Sequence, residues 1–184
     1  MRRTALLAAL CFGYCALAFA EKPADQAAPK TKLEAFESQT GNVIVRGFSR
    51  IAVIPGEYGA VTVESKEFTN AGTGRKEYGV TLEVQRSAER KNTSFIDYDE
   101  IDALLAGIDY ISKLDRTATR FDNFQADYRT KGDLEFSIFS EDNDVMLAVS
   151  SGTIGKVTAY FKVKTLARIR QAIADAKTKI DGLK

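Results

Sequence analysis

The 184-residue sequence contains no histidine, and its two cysteines, Cys11 and Cys15, both lie near the start. Almost every common hydrolase triad, zinc site or thiol catalyst needs histidine or cysteine. These classes of site are therefore not expected beyond residue 15. Proline is also scarce, with three residues in all and none after Pro55. Residues 56–184 thus contain no proline, the residue that most often interrupts helices and strands.

The first twenty residues have the pattern of an export signal. Arg2 and Arg3 are positively charged, an apolar run extends from Ala5 to Phe19, and small residues stand three and one before the end of the segment. The sequence predicts a signal peptide over residues 1–20, cleavage after Ala20 and a mature chain without cysteine. Because the apolar run is rich in alanine, we expect a bacterial protein of the periplasm or a secreted one.

The mature chain has almost no net charge. Loss of Arg2 and Arg3 leaves 24 basic residues against 25 acidic ones. Such a balance gives no overall attraction to nucleic acid or to anionic membranes. The remaining 164 residues match one domain. No disulfide is available, so the hydrophobic core has to stabilise it. No transmembrane segment is expected after signal cleavage.

Residues 21–32 are predicted to be a disordered linker, because their prolines and alanines show no apolar period. A single α+β domain is predicted over residues 33–184. At its start, Lys32–Thr40 fits one or two helical turns or a short strand, and the spacing of Leu33 and Phe36 favours the helix.

Short apolar runs separated by turn residues then predict four strands and a helix. Alternation is clearest in the fourth run, and Gly47 in the first run predicts a bulge. Asp97 is expected to cap the helix, with Glu100 completing a capping box. The four predicted strands are Val43–Phe48, Arg50–Ile54, Ala60–Phe68 and Lys76–Gln85.

The same order recurs in the second half. A long amphipathic helix with apolar residues from Leu166 to Leu183 is expected to start at a Thr165 cap. The fold class predicted is α+β, with two successive units of four antiparallel strands and one amphipathic helix, over residues 42–114 and 121–184. The strands of the second unit are predicted at Asp122–Arg129, Leu134–Phe139, Val145–Val149 and Lys156–Val163.

This layout resembles that of the Whirly and Pur-type single-strand nucleic-acid binders, whose domains are built from two units of four strands and a helix. The resemblance spans nearly the whole mature chain and implies that the chain has a fold similar to theirs. The sequence lacks the Lys-Gly-Lys-Ala motif associated with Whirly proteins, so no binding residue is carried over. An export signal also argues against a role with nucleic acid.

Basic and aromatic residues gather near the strand predicted at Asp122–Arg129. We identify Phe124, Tyr128, Arg129 and Lys131 as a tentative ligand face, on which cations would neutralise phosphates and rings would stack on bases. The competing interpretation places the aromatic residues in the core and the charges in solvent. The balanced charge of the chain favours this second interpretation.

Other motifs have simpler explanations. Four carboxylates between Asp97 and Asp102 suit the start of a helix better than a metal site. The segment Ser150–Lys156 lacks the features of a phosphate loop and fits a hairpin turn. Asn92-Thr93-Ser94 is a glycosylation sequon, relevant only in a glycosylating host. No cofactor or metal site is predicted.

The sequence thus predicts an exported, non-catalytic binding or structural domain of the bacterial envelope, whose envelope or extracellular partner it does not identify. Nucleic acid is an unfavoured partner. One alternative is the binding of a ligand or single-stranded nucleic acid on a basic-aromatic sheet face. A more remote alternative is a carboxylate-dependent hydrolase, which requires two acids facing each other across a cleft.

Overall fold

The computed structural model describes residues 28–142 and 144–184. The predicted signal peptide, its cleavage site at Ala20, both cysteines and most of the predicted linker lie outside these residues. The last residues of that linker contact the folded part of the chain. The Lys30 ammonium pairs with the Asp133 carboxylate, and Thr31 is buried.

Two sheets of four antiparallel strands are each followed by a helix, which confirms the predicted α+β layout. In both sheets the strands lie in sequence order. A short helix, α1 (Lys32–Glu37), precedes the first sheet. The first unit comprises β1 (Ile44–Pro55), β2 (Ala60–Asn70), β3 (Lys76–Gln85), β4 (Lys91–Asp97) and α2 (Ile101–Ile111). The second comprises β5 (Gln125–Arg129), β6 (Leu134–Glu141), β7 (Asp144–Ser151), β8 (Val157–Lys162) and α3 (Leu166–Asp181).

The strands of the first unit differ from the prediction. The runs predicted as two strands form the single strand β1, whose register shifts between Arg50 and Ala52 and not at Gly47. Strand β4 was not predicted. Its residues opposite β3 include Asn92 and Ser94, so it lacks the apolar alternation that marks a half-buried strand.

The predicted helix caps are also wrong, because both acids have partners elsewhere in the fold. The Asp97 carboxylate accepts hydrogen bonds from the backbone amides of Lys32 (2.9 Å) and Leu33 (3.1 Å), at the start of α1. Glu100 accepts from the backbone amide of Lys131 (2.8 Å). Thr165 stands at the N-cap position of α3 as predicted, but its side chain makes no capping hydrogen bond.

Each long helix covers the sheet of the other unit. Helix α3 packs across β1, β2 and β3 of the first sheet, whereas α2 packs on β5 of the second sheet and on α3. In α2, Gly107 lies against the ring of Tyr128 so closely that any side chain there would collide with it. Most buried apolar residues of both units form one continuous core, and a smaller cluster joins Leu33 and Phe36 of α1 to Phe68 of β2. Neither unit has a closed core of its own.

The two sheets also meet directly. The Ser94 and Ser151 hydroxyls, both buried, hydrogen-bond at 2.7 Å between β4 and β7. Tyr58, in the β1–β2 loop, pairs through its backbone with Tyr160 on β8. Gly59 has a positive φ of 96° and lies against the backbone oxygen of Gln85, where a side chain would collide. The β1–β2 loop therefore fits against the edge of the second sheet.

Replacing Asp97 with alanine leaves two amides of α1 without their acceptor. Because the Asp97 carboxylate and the Leu33 amide are buried, we expect Asp97→Ala to lower the free energy of unfolding by about 2 kcal/mol, as measured by urea denaturation. Asp99→Ala is the matched control, because Asp99 is exposed and binds the exposed Lys32 side chain. Equal losses in the two variants would contradict the capping role of Asp97.

Candidate ligand-binding face

The structure separates the four residues of the tentative ligand face. Phe124 and Tyr128 pack against the main core, on the side of the second sheet that α2 covers. Burial, and secondarily the charge of Glu100, raises the pKa of the Tyr128 phenol. Both rings are partly buried against the core, as the competing interpretation expects of aromatic residues.

Arg129 and Lys131 do not share that surface. Neighbouring residues of a strand point to opposite faces, so Arg129 lies on the face away from Tyr128, where it binds the Glu135 carboxylate. Lys131 is exposed in the turn after β5. The tentative face combined residues from both sides of β5, because a cluster in sequence does not distinguish the two faces of a strand.

The side of the second sheet that faces away from α2 is a different candidate, which we name the outer face. The cross-strand pairs of the second sheet define three rows of side chains. In the middle of the sheet stand the small residues Ser137, Ala148 and Ser150, whose side chains are buried beneath their longer neighbours. The outer face therefore has a central strip of small side chains, which we name the trough. Its rows are Gln125–Phe139–Met146–Lys162, Asp127–Ser137–Ala148–Tyr160 and Arg129–Glu135–Ser150–Thr158.

An aromatic cluster forms one rim of the trough. The Arg86 guanidinium carbon lies 5.4 Å from the ring centroids of both Tyr58 and Tyr160. Phe139 meets Tyr160 edge to face, with centroids 6.4 Å apart. Such contacts between a cation and rings hold flat side chains in place. The rim thus presents fixed aromatic rings beside a cation.

Contacts made by the β1–β2 loop position this rim. The backbone pairing of Tyr58 with Tyr160 brings a residue of the first unit onto the edge of the second sheet. Gly56 allows this approach, since a side chain there would collide with the Tyr160 backbone and the Phe161 ring. Sequence analysis missed the cluster, because its members come from both units. The available signal in the sequence was the pair of glycines, Gly56 and Gly59, on either side of Tyr58.

An ionic cluster lies at the far end of the trough. Glu135 is buried, and its carboxylate accepts from the Arg129 guanidinium and, at 2.7 Å, from the Lys156 ammonium. Burial alone would raise the pKa of Glu135, but the hydrogen bonds from Lys156 and Arg129 outweigh it, and the pKa is lowered. A hollow of ≈ 190 Å³ adjoins the cluster, also lined by Asp133, Gly152 and Thr153.

The acidic run from Asp97 to Asp102 does not converge on one point. Asp97 caps α1, Asp99 pairs with Lys32, and Asp102 pairs with Lys177. One buried oxygen of Glu100, Oε2, has no hydrogen-bond partner. Within residues 28–142 and 144–184, no group of three or more acidic side chains is placed to hold a metal ion.

The remaining motifs serve the fold. The Ser150 hydroxyl bonds to Thr158 at 2.8 Å while Lys156 binds Glu135, so no serine–lysine pair forms. The segment turns between β7 and β8, as predicted. The Asn92 side chain of the sequon accepts a hydrogen bond from Ser151 at 3.1 Å across the junction of the sheets.

Comparison with known proteins adds nothing to the geometry. No family model matches the chain, and neither curated proteins nor solved structures give a match. The resemblance to the Whirly and Pur-type proteins therefore rests on the order of elements alone. In the described part of the chain, no helix has the length and apolar character needed to cross a membrane.

The ionic cluster makes stability depend on pH. Because the folded pKa of Glu135 is lowered, its stabilisation is present above the ordinary glutamate pKa of about 4.3 and is lost as the pH falls through the lower folded value. We expect Glu135→Gln to cost roughly 1–2 kcal/mol at pH 7. The difference from wild type should shrink below about pH 4.

Urea denaturation of both proteins across this pH range checks the prediction. Glu83→Gln is the control, because Glu83 pairs with only one exposed cation, Lys91. A Glu135→Gln penalty that stays constant from neutral to acid pH would show that the carboxylate charge is not its cause.

Proposed function

We propose that the chain is an exported, non-catalytic binding module of the bacterial envelope and that the outer face holds its ligand. The export rests on the predicted signal peptide. The observation that supports a ligand site is the trough itself, in which buried small residues lie between an aromatic rim and an ionic cluster.

The chemistry of the trough suits a polysaccharide chain. The exposed ring of Tyr58 and the half-buried ring of Tyr160 offer apolar surface to the C–H faces of sugar rings. The exposed polar side chains of the outer face, on Gln125, Asp127 and Lys162, can exchange hydrogen bonds with sugar hydroxyls. The exposed face of a sheet, without a deep cavity among the described pockets, suits an extended chain better than a compact molecule. An envelope glycan is therefore the ligand class that we propose.

Single-stranded nucleic acid fits the same trough less well. Binding of a phosphate chain requires cations that are free to neutralise it. Two cations of the outer face, Arg129 and Lys156, already bind Glu135, and Asp127 adds a further negative charge. The electrostatic part of nucleic-acid binding is therefore weak on this face.

The lowered pKa of Glu135 does not suit this carboxyl to the general-acid role that the hydrolase alternative requires. A general acid of the glycosidase type needs a raised pKa. Hydrogen bonds from Lys32 and Arg170 lower the pKa of Asp99 and Asp109, and the ionic cluster lowers that of Glu135. These groups are thus poised to stay ionised.

Co-sedimentation with purified bacterial peptidoglycan tests the proposal. The wild-type protein should sediment with the polymer, and Tyr58→Ala and Arg86→Ala should each weaken the association about tenfold or more, since each removes part of the aromatic rim. Tyr110→Ala is the matched control, because Tyr110 is 68% exposed, close to the 63% of Tyr58, but lies on α2. Its binding should equal that of wild type.

A parallel assay uses a single-stranded oligothymidylate at low salt. Retention that falls steeply as salt is added, with no binding to peptidoglycan, would replace the glycan by nucleic acid as the ligand. Absence of binding in both assays, or equal losses in the Tyr58→Ala and Tyr110→Ala variants, would contradict the role of the outer face.

A further inference from the structure

The four sheet edges are protected to different degrees. Tyr58 pairs with the edge strand β8, and Gly132 lies directly against the backbone oxygen of Phe95 on β4. Strand β5 has only five residues. Strand β1 has twelve residues, and in the described part of the chain no strand pairs with its outer side. Alternate backbone amides and carbonyls of β1 thus face outward, as on any edge strand.

Exposed apolar side chains occur on both faces of β1. Val45 is exposed on the face that carries α3, and Phe48 is 67% exposed on the opposite face. A long edge with apolar residues invites pairing with another strand, and monomeric proteins usually prevent this with charges, prolines or covering loops. Before the register shift at Ile51, β1 contains no proline, and its two charged residues are Arg46 and Arg50.

Among the described residues, no contact requires a glycine at position 47, in the middle of this segment. A side chain there would make only ordinary contacts, the nearest at 3.6 Å to Glu67, and the φ of Gly47 is not in the left-handed region. Glycine inside a strand lowers its stability and often marks a close approach by another backbone. The regular segment from Ile44 to Arg50 extends three residues to either side of Gly47.

We propose that β1 pairs antiparallel with β1 of a second copy of this chain, about a two-fold axis at Gly47. The first sheets of the two copies then form one sheet of eight strands. The pairing uses the whole regular segment, with Ile44 opposite Arg50 of the second copy and Val45 opposite Ser49 of the second copy. It ends where the register shift at Ile51 bends the strand.

This register also matches the charges along β1. Arg46 of each copy lies opposite Phe48 of the other copy. Two contacts between a guanidinium and an aromatic ring therefore form across the axis. A register centred on Phe48 would instead oppose Arg46 and Arg50 of the second copy, and like charges directly opposite are destabilising. The segment is thus complementary to itself at Gly47, which favours a second copy over an unrelated peptide.

A groove beside the axis extends the contact. It has a volume of ≈ 320 Å³ and lies between Gly47, Tyr78 and the end of α3 at Ile180 and Leu183. Leu183 is exposed in the single chain. A second copy placed on the edge of β1 continues this apolar surface across the axis. The dimer is independent of the proposed ligand, because it uses the first sheet and the outer face belongs to the second.

Mass measurement in solution tests the dimer. The chain from Glu21 to Lys184 should show twice the monomer mass in sedimentation and light-scattering experiments at high concentration. Phe48→Lys sets a lysine opposite Arg46 of the second copy and should raise the dissociation constant about tenfold or more. The control is Val53→Lys, which is on the same face of the same strand but beyond Ile51, and which should remain dimeric.

Disulfide formation tests the axis. The chain after residue 20 contains no cysteine, so Gly47→Cys supplies a single thiol. Directly opposed residues of antiparallel strands have Cα atoms about 5 Å apart, within the range for a disulfide. Oxidation with diamide should link Gly47→Cys into dimers and leave Val53→Cys largely unlinked. A monomeric wild-type protein, equal effects of the two lysine variants, or preferential linkage of Val53→Cys would each overturn the proposal.

Discussion

Helix α3 is last in the chain, yet its apolar face lies on the first sheet, where it packs across β1, β2 and β3. Helix α2, which follows the first sheet, packs on β5 of the second. An amphipathic helix and a half-buried sheet are each unstable until their apolar faces are covered. Because each cover comes from the other unit, the two units depend on each other. With the helices exchanged between the units in this way, the outer face of the second sheet and the edge of β1 still face outward.

Sequence patterns predicted the elements that are amphipathic in themselves. The apolar spacing along α3 and the alternation along β3 reflect burial of one face, which depends on nearby residues in sequence. Strand β4 was missed because its inward positions include Ser94, which bonds to Ser151 of the other unit. The capping box at Asp97 failed for the same kind of reason, since its carboxylate caps a helix distant in sequence.

The candidate site was less predictable than the fold. Phe124, Tyr128, Arg129 and Lys131 are neighbours in sequence, but strand alternation divides them between a covered and an open face. The aromatic rim joins Tyr58 and Arg86 of the first unit to Tyr160 of the second. Its assembly depends on how the β1–β2 loop meets β8, and no local pattern records a contact over that sequence separation.

Separation of the chain into its two units tests this mutual dependence most directly. Residues 28–114 and 115–184 would be produced as separate fragments and compared, alone and mixed, by circular dichroism and amide NMR spectra. Each fragment alone should lack a cooperative unfolding transition, because its sheet has lost its helical cover. The equimolar mixture should recover the spectrum of the whole chain. Two fragments that fold cooperatively and do not bind each other would contradict the account.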